Sequence, residues 1–385
     1  MTKKLLRGEH DHRVGFAELF FDLVFVFAIT QISHLLLHHY DVKGAVQSGL
    51  ILLAVWWVWI YTTWVLNRLD PEAPAVRGLI FAMMVCGLFL SMSIPEAFGE
   101  RGWVFGLAFA AMQLGRTHFM YLAAGNDQVV KRTYLRIFIW FVPSALLWIG
   151  GGLADPNLRL WFWLAALVVE YVGPAAGFWL PGLGRDVSSN WNVKGEHIAE
   201  RAGLFVIICL GETLLVSGAT FADLHWDIAG LLAFLSSATS SIAMWWVYFH
   251  IGYHRGSTQI ATSDDPGRIA RLAFTYAHIP IVAGIVLAAV GAERAIAHPH
   301  APGSLGEAAS IVGGTALFLA GNGWFKAVSK WFPLSHLFGL GLLAGLFLLA
   351  PWLDLLMLNL GSALVLVLVA IWEDRSLASH SRASA

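Results

Sequence analysis

Long apolar runs separated by short polar breaks dominate the hydrophobic pattern of this chain. Crossing about 30 Å of hydrocarbon takes about 20 helical residues, and twelve runs approach or reach that length. Many of the breaks carry proline, glycine or charge clusters, such as DPEAP at 70–74 and SDDPG at 263–267. The pattern predicts an all-α, polytopic membrane protein of about 12 transmembrane helices, at approximately 16–37, 44–66, 77–95, 102–123, 134–153, 160–180, 198–219, 228–250, 270–291, 306–324, 334–350 and 352–372. The tenth run is glycine-rich and only Pro351 separates the last two, so ten or eleven spans remain an alternative.

The second half of the sequence resembles the first in four places that follow the same order. Two apolar segments match: AELFFDLVFVFAIT from Ala17 with AERAGLFVIICLGET from Ala199, and WWVWIYTTW from Trp56 with WWVYFHIGY from Trp245. The other two matches are Asp70-Pro71 with Asp265-Pro266, and LVVEY at Glu170 with VAIWED at Glu373. Together they predict a parallel 6+6 repeat whose halves share one orientation. The predicted domains are a first half at 1–180, a cytoplasmic linker at 181–195, a second half at 196–375 and a cytoplasmic tail at 376–385.

Composition supports a membrane protein and excludes some partners. The chain is 58% hydrophobic and 13% charged with a mean hydropathy of +0.67, whereas soluble domains are nearer 45–50% apolar. A net charge of −1 provides no basic surface for nucleic acid. Tryptophans at the ends of apolar runs, such as Trp56, Trp57 and Trp59, are expected at the membrane interface. The expected partners are membrane lipids and an unknown small solute or ion, no cofactor is indicated, and the oligomeric state stays open.

The basic residues predict the orientation. If the N-terminus is cytoplasmic, 19 of the 24 lysines and arginines lie on the cytoplasmic side. Four lie on the other side, at Lys43, Arg101, Arg159 and Arg294, and Arg116 lies within a span. By the positive-inside rule, this bias predicts twelve spans with both termini in the cytoplasm.

The first span contains two acidic residues, Glu18 and Asp22. Their spacing of four places them on one helix face, and a carboxylate near the bilayer centre costs from about 2.5 to over 10 kcal/mol. That face must therefore contact protein, water or a cation. It is either a structural polar seam between helices or part of an ion or substrate pathway.

Arg116 is the only basic residue deep within a span, and a rise of about 1.5 Å per residue places it at about the depth of Asp22. An Asp22–Arg116 ion pair is therefore expected. It would act either as a structural clamp or as a gate or proton relay that breaks during a cycle.

The second half contributes further candidates for a substrate or proton pathway. Glu200 lies at the cytoplasmic end of the seventh span, and Glu212 lies past its midpoint beside Gly211, which would allow a close approach. Glu212, and Glu170 in the sixth span, are either pathway residues or protonated carboxyls that donate one interhelical hydrogen bond. His278, near the middle of the ninth span, could titrate near neutral pH.

Two histidine pairs have the i, i+4 spacing that can bind a metal, His34 with His38 and His250 with His254. No HExxH or CxxC motif supplies further ligands, so no metal site is predicted. The glycine runs GLG, GTA and GNG are interpreted as helix-packing positions.

The stretches ELFFDLVFVFAITQISHLL from Glu18 and ERAGLFVIICLGETLLVSG from Glu200 resemble the two signature regions of the bacterial low-temperature-requirement A membrane proteins. The resemblance covers roughly residues 10–375. It implies a polytopic protein and a genetic requirement for growth in the cold, but no reaction, substrate or site residues.

Three function classes follow. The first is a multi-pass protein of the bacterial inner membrane that moves a small solute or ion, coupled to protons through the intramembrane carboxylates. The second is a membrane-embedded enzyme that acts on a lipid, with His250 and His254 at an interfacial site. The third is a structural or sensory protein for cold adaptation, in which the charges only hold helices together.

Overall fold

The computed structural model describes residues 5–8, 13–188, 191, 193–250, 265–328 and 333–383. In this part of the chain the long elements are all helices. They are α1 (Phe16–His38), α2 (Val42–Leu66), α3 (Pro74–Ser93), α4 (Gly102–Ala123), α5 (Gln128–Leu153), α6 (Pro156–Ala175), α7 (Gly195–Ala222), α8 (Ile228–Phe249), α9 (Pro266–Ala297), α10 (Leu305–Val328), α11 (Leu334–Leu349) and α12 (Leu355–Ala383).

Eleven of these helices are long and apolar enough to cross a membrane. The exception, α4, has 22 residues and carries Gln113, Arg116 and His118. The all-α polytopic fold is thus confirmed. The glycine-rich tenth run forms a span-length helix, and α11 and α12 are separate helices on either side of Pro351.

Capping residues explain where several helices begin. Asp41, Asp127, Asp155 and Asp227 each accept a hydrogen bond from a backbone N–H in the first turn, so polar breaks of the sequence become helix starts. Pro156 occupies the first position of α6, where its missing N–H costs nothing.

The described residues form two compact units, one within Met1–Arg201 and Ile260–Ala270, the other within Ala202–Gln259 and Arg271–Ala385. The first unit contains α1 to α6 and the start of α7. The second contains the rest of α7, α8, most of α9, and α10 to α12. The predicted domain boundaries stay a prediction.

Large apolar side chains cover the outside of the helices, as the surface of a membrane protein requires, and examples are Phe20, Leu23, Leu235 and Ile242. The tryptophan prediction is wrong for one cluster. Trp56, Trp57 and Trp59 are almost fully buried within α2. They are therefore core residues of the first unit and not interfacial anchors.

Glycines allow close helix contacts in the second unit, as interpreted from the sequence. A Cβ built on Gly314 of α10 would lie 2.5 Å from the backbone nitrogen of Ala288 in α9, and one on Gly321 would lie 2.7 Å from that of Ile281. Backbones this close leave no room for a methyl group.

We therefore expect Gly314→Ala to lower the free energy of unfolding by about 1–3 kcal/mol, because the added methyl overpacks the α9–α10 contact. Thermal unfolding of the purified protein in detergent checks this. Gly345→Ala in α11 is the matched control, since a Cβ there meets nothing within 4 Å. An equal loss in both variants would contradict the packing role of Gly314.

Candidate functional site

A buried charged network surrounds the first acid of α1. The Glu18 carboxylate accepts hydrogen bonds from Arg7 Nη2 at 2.9 Å, Arg201 Nη1 at 3.0 Å and the Gly15 N–H at 2.8 Å. His197 Nε2 lies 2.9 Å from its Oε1 atom. All four charged or titratable side chains are buried. Four donors thus converge on one carboxylate and favour its ionised form.

Asp22 lies one helical turn deeper and shares the same arginine. Its Oδ1 atom accepts from Arg201 Nη2 at 2.6 Å and from the Trp59 indole N–H at 2.8 Å. The Arg201 guanidinium also lies 5.7 Å from the ring centroid of Trp59 and 6.0 Å from that of Phe21, within cation–π range. One guanidinium therefore bridges two carboxylates and is enclosed by aromatic rings.

The hydrogen bonds of Asn67 define the tautomer of His197. The Asn67 amide nitrogen donates to the Lys194 carbonyl at 2.9 Å, and its oxygen accepts from the Lys194 N–H. The same nitrogen lies 3.2 Å from His197 Nδ1, which must then accept. In the neutral imidazole the proton is on Nε2, which donates to Glu18.

Arg7 belongs to this network although it precedes the first span. Its guanidinium donates to the carbonyls of Leu69 at 3.2 Å and Arg13 at 2.6 Å, besides Glu18. A short bridge between Leu6 and Leu69 fixes the segment. Sequence reasoning missed this role because Arg7 was counted only as a cytoplasmic charge.

The network balances its charges, since two carboxylates face two guanidinium groups and a neutral imidazole. A balanced set is what a membrane interior can hold. Two of its buried atoms, Asp22 Oδ2 and Arg201 Nε, have no hydrogen-bond partner in the described structure. Because Glu18 is surrounded by donors, Asp22 Oδ2 is the atom at which a proton can be added without displacing an existing hydrogen bond.

The predicted Asp22–Arg116 ion pair is wrong. Arg116 instead donates to the Val58 carbonyl at 2.9 Å and to Thr62 Oγ1 at 3.0 Å, and its guanidinium lies 5.4 Å from the Tyr61 ring centroid. Two residues at equal depth on different helices contact each other only if the helices are neighbours and the side chains face each other. Arg201, at the start of the unit-spanning helix α7, takes the place expected for Arg116.

Glu170 in α6 lies in a second buried site of the same unit. Its carboxyl accepts from Ser144 Oγ at 2.6 Å and from the Gln113 amide, and the Trp57 side chain faces it. Arg116 acts on Glu170 by charge but forms no ion pair with it in the described structure. The Nε and Nη2 atoms of Arg116 have no hydrogen-bond partner there.

The second unit holds its own buried ion pair, which sequence reasoning did not single out. Lys326 Nζ of α10 lies 2.8 and 2.9 Å from the two carboxylate oxygens of Glu373 in α12 and 2.9 Å from the Val247 carbonyl. His336 Nδ1 lies 3.3 Å from Glu373, and its Nε2 lies 2.9 Å from Asn322 Oδ1. The sequence match of LVVEY at Glu170 with VAIWED at Glu373 was the signal that could have identified Glu373 as a site residue.

The two sites share one pattern. In each unit a cation from the fourth helix of the half (Arg116 or Lys326) donates to the carbonyl of a valine (Val58 or Val247) in the matching WWV segments. In each, a glutamate from the sixth helix of the half is buried beside that cation: Glu170 in one and Glu373 in the other.

The remaining candidates are distributed over both units. Glu200 Oε2 accepts from the Val14 N–H at 3.4 Å. Glu212 is 5% exposed and makes no hydrogen bond or ion pair with another described residue. A Cβ on Gly211 would meet nothing within 4 Å, so no backbone among the described residues makes the close approach, and the expected approach of a ligand stays a prediction.

His278 is fully buried in α9. Its Nδ1 lies 2.8 Å from the Ala273 carbonyl, which can only accept, so the proton is on Nδ1. Its Nε2 then accepts from the Tyr248 hydroxyl at 2.7 Å. The Ala273 carbonyl of the same helix and the Tyr248 hydroxyl of α8 thus bind both ring nitrogens and hold the imidazole in one orientation.

The histidine pairs provide no assembled metal site in the part of the chain that the structure describes. His254 lies outside the described residues, and His250 Nε2 lies 3.3 Å from Asp374 Oδ1. No group of three metal-ligating side chains occurs among the described residues.

Residues 13–371 match the family description "Bacterial low temperature requirement A protein (LtrA)". The chain is also 41% identical over 376 residues to an uncharacterized protein, RA0937, of Rhizobium meliloti (strain 1021), which covers 97% of this chain and 91% of that one. No solved structure matches it. This chain is a multi-pass membrane protein and belongs to the low temperature requirement A family.

Proposed function

We propose that this protein moves a small solute or ion across the bacterial inner membrane and couples that movement to protons through its buried carboxylates. The observation that carries the proposal is the bridging of Glu18 and Asp22 by the single guanidinium of Arg201. A proton added at Asp22 Oδ2 would neutralise this carboxylate and weaken its bond to Arg201, while the bond between Arg201 and Glu18 stays charged on both sides. The Arg201 guanidinium can thus bind both carboxylates or mainly Glu18, and a proton on Asp22 would interconvert these two arrangements.

A purely structural role explains this network less well. A helix clamp is most stable when every buried polar atom is satisfied, and each unpaired buried atom costs about 1–3 kcal/mol. Asp22 Oδ2 and Arg201 Nε in one site, and two nitrogens of Arg116 in the other, lack partners in the described structure. Ionisable residues inside a membrane mark ion pathways and proton relays by default.

The shared pattern of the two units supports a duplicated architecture. In both units a lysine or arginine donates to a WWV carbonyl and lies beside a glutamate. Unrelated helices are not expected to share so specific an arrangement. We include in the proposal that the halves are parallel repeats with equivalent buried carboxylates, Glu170 and Glu373, as in transporters built from two related halves.

Purified protein in proteoliposomes separates the three function classes. Currents or internal pH changes evoked by concentration jumps of alkali cations, amino acids and carboxylic acids would support transport. A change in the lipid composition of the vesicles would support a lipid-active enzyme instead. If neither response is observed, the structural or sensory role is the better account of the network.

The orientation has its own test. With both termini cytoplasmic, a reporter fused after Ala385 that is active only in the cytoplasm should be active, because the basic residues favour that side. Activity of a reporter that works only outside the membrane would overturn the topology.

Glu212→Gln should leave folding and insertion unchanged but abolish pH-dependent flux. Glutamine keeps the size and hydrogen-bonding capacity of the side chain and removes titration, and no described ion pair is lost. Glu196→Gln, an exposed position at the start of the same helix, is the matched control. Full complementation of a cold-sensitive deletion strain by Glu212→Gln would remove Glu212 from the mechanism.

A further inference from the structure

A short N-terminal segment lies over the charged network of the first unit. Residues 5–8, which we call the strap, form an antiparallel bridge with the chain that follows α2. The Arg7 N–H donates to the Arg68 carbonyl at 3.0 Å. The Asp70 N–H donates to the Leu5 carbonyl at 2.9 Å. So short a pairing is marginally stable, and chain ends open most easily, so the strap is held mainly by what its side chains bind.

Arg7 is the side chain that holds the strap in place. Its guanidinium is fully buried and donates to Glu18 at 2.9 Å. It also donates to the carbonyls of Leu66 at 3.3 Å, Leu69 at 3.2 Å and Arg13 at 2.6 Å. The other ionisable groups of the network lie on α1 and α7, whereas Arg7 precedes the first helix. Arg7 can therefore leave the network without the movement of a spanning helix.

Release of Arg7 would change the charge balance of the network. With Arg7 bound, the carboxylates of Glu18 and Asp22 face two guanidinium groups. Without it they share only Arg201, and one buried negative charge is left uncompensated. Such a charge is strongly unfavourable, so the uptake of one proton would restore the balance.

His197 is poorly placed to take this proton. Its Nδ1 atom lies 3.2 Å from the Asn67 amide nitrogen, and two bonds to the Lys194 backbone fix the orientation of that amide. An imidazolium carries a hydrogen on both ring nitrogens, so it would place two donors face to face at this point. The proton is therefore expected on a carboxylate. The available atoms are Asp22 Oδ2, which has no hydrogen-bond partner in the described structure, and the Glu18 oxygen that the strap releases.

Two further charged side chains bind backbone groups near the strap. The Lys194 ammonium donates to the Gly8 carbonyl, and Glu200 Oε2 accepts from the Val14 N–H at 3.4 Å. Their charges are opposite, so together they leave the balance of the network unchanged.

We propose that the strap is an autoinhibitory contact in which Arg7 and one proton compete for the Glu18–Asp22 pair. The carboxylates take up the proton when the strap leaves, and by linkage the proton favours release of the strap by the same factor. With both termini cytoplasmic, the strap lies on the cytoplasmic side of these carboxylates and controls proton entry from there. This inference rests on the proposed function, which assigns the coupling proton to the same carboxylates.

Labelling with a hydrophobic carbodiimide tests the competition, because this reagent reacts with protonated carboxyl groups within a membrane and not with ionised ones. The full chain in nanodiscs is treated over a range of pH, and mass spectrometry measures the label on the fragment that contains Glu18 and Asp22. We expect Arg7→Gln to be labelled at a pH about one unit higher than the wild type, which corresponds to about tenfold tighter proton binding.

Arg68→Gln is the matched control, because it removes an arginine beside the same bridge whose side chain forms no ion pair with Glu18 or Asp22 in the described structure. It should be labelled at the same pH as the wild type.

Leu6→Cys/Leu69→Cys keeps Arg7 and allows the strap to be fixed by a disulfide. The two backbone bonds flank this pair, so it is a non-hydrogen-bonded antiparallel pair. The Cα atoms of such a pair are about 4.5 Å apart, which a disulfide can span. The oxidised form should be labelled at a lower pH than the reduced form of the same variant.

Labelling of Arg7→Gln at the wild-type pH, or equal labelling of the oxidised and reduced double variant, overturns the proposal. If Arg7→Gln does not fold, the comparison of the oxidised and reduced forms decides alone. Labelling reports proton uptake at equilibrium and not transport. A failure to detect solute movement would therefore leave the competition between Arg7 and the proton intact, and unchanged labelling would leave the transport proposal to its own test.

Discussion

Arg201→Gln should be among the most destabilising single substitutions in the chain, with a loss of about 3–5 kcal/mol in the free energy of unfolding. Glu18 and Asp22 would remain buried, and Asp22 would keep only the Trp59 indole as a donor. Denaturant unfolding in detergent measures the loss. The double variant Asp22→Asn/Arg201→Gln should lose less than the sum of the single variants, because it removes one of the uncompensated charges.

Arg77→Gln is the control for this cycle. Arg77 pairs with Glu72 at the surface, where the two side chains are 45% and 66% exposed, and such a pair contributes about 0–1 kcal/mol. Additive losses for Asp22→Asn and Arg201→Gln would show that the two residues do not interact.

Lys326→Met should cause a loss of similar size in the second unit. The substitution leaves the Glu373 carboxylate buried with His336 as its nearby partner, and a lone buried charge costs about 3–5 kcal/mol. Lys326→Met/Glu373→Gln should recover a large part of that loss, since a neutral amide replaces the charge. The melting of each variant in detergent gives the comparison.

Arg294→Gln provides the contrast within the same unit. Its pair with Glu307 is partly open to solvent, with 30% of the arginine side chain exposed, so water can compensate and the loss should be clearly smaller. Equal losses in the free energy of unfolding for Lys326→Met and Arg294→Gln would show that burial does not increase the contribution of the Lys326–Glu373 pair.

The spans were predictable because length and hydropathy are local properties. Glu18 and Asp22 were expected to face protein, water or a cation, since the cost of lipid contact excludes the lipid, and both contact buried protein side chains. Their partner was not predictable, because Arg201 is 179 residues from Asp22 in sequence. Depth along the membrane normal suggested Arg116, but depth does not determine which helices are neighbours.

Two further errors have physical causes. The aromatic-belt rule considers only where tryptophan stands along a run, so it placed Trp59 at the interface although its indole N–H serves a buried acid. Lys326 was counted as cytoplasmic because it is close to the end of its span, although a buried glutamate and a backbone carbonyl bind its ammonium group. Both roles depend on contacts between distant helices.

Proton movement in proteoliposomes tests the proposed role of the Asp22–Arg201 pair most directly. A pH-sensitive dye is enclosed with wild type, Asp22→Asn or Asp155→Asn, the last a control in which asparagine still caps α6. Wild type and control should move protons faster when one solute of the panel is present, and Asp22→Asn should not. Proton and solute movement at the wild-type rate in Asp22→Asn would contradict the proposed coupling.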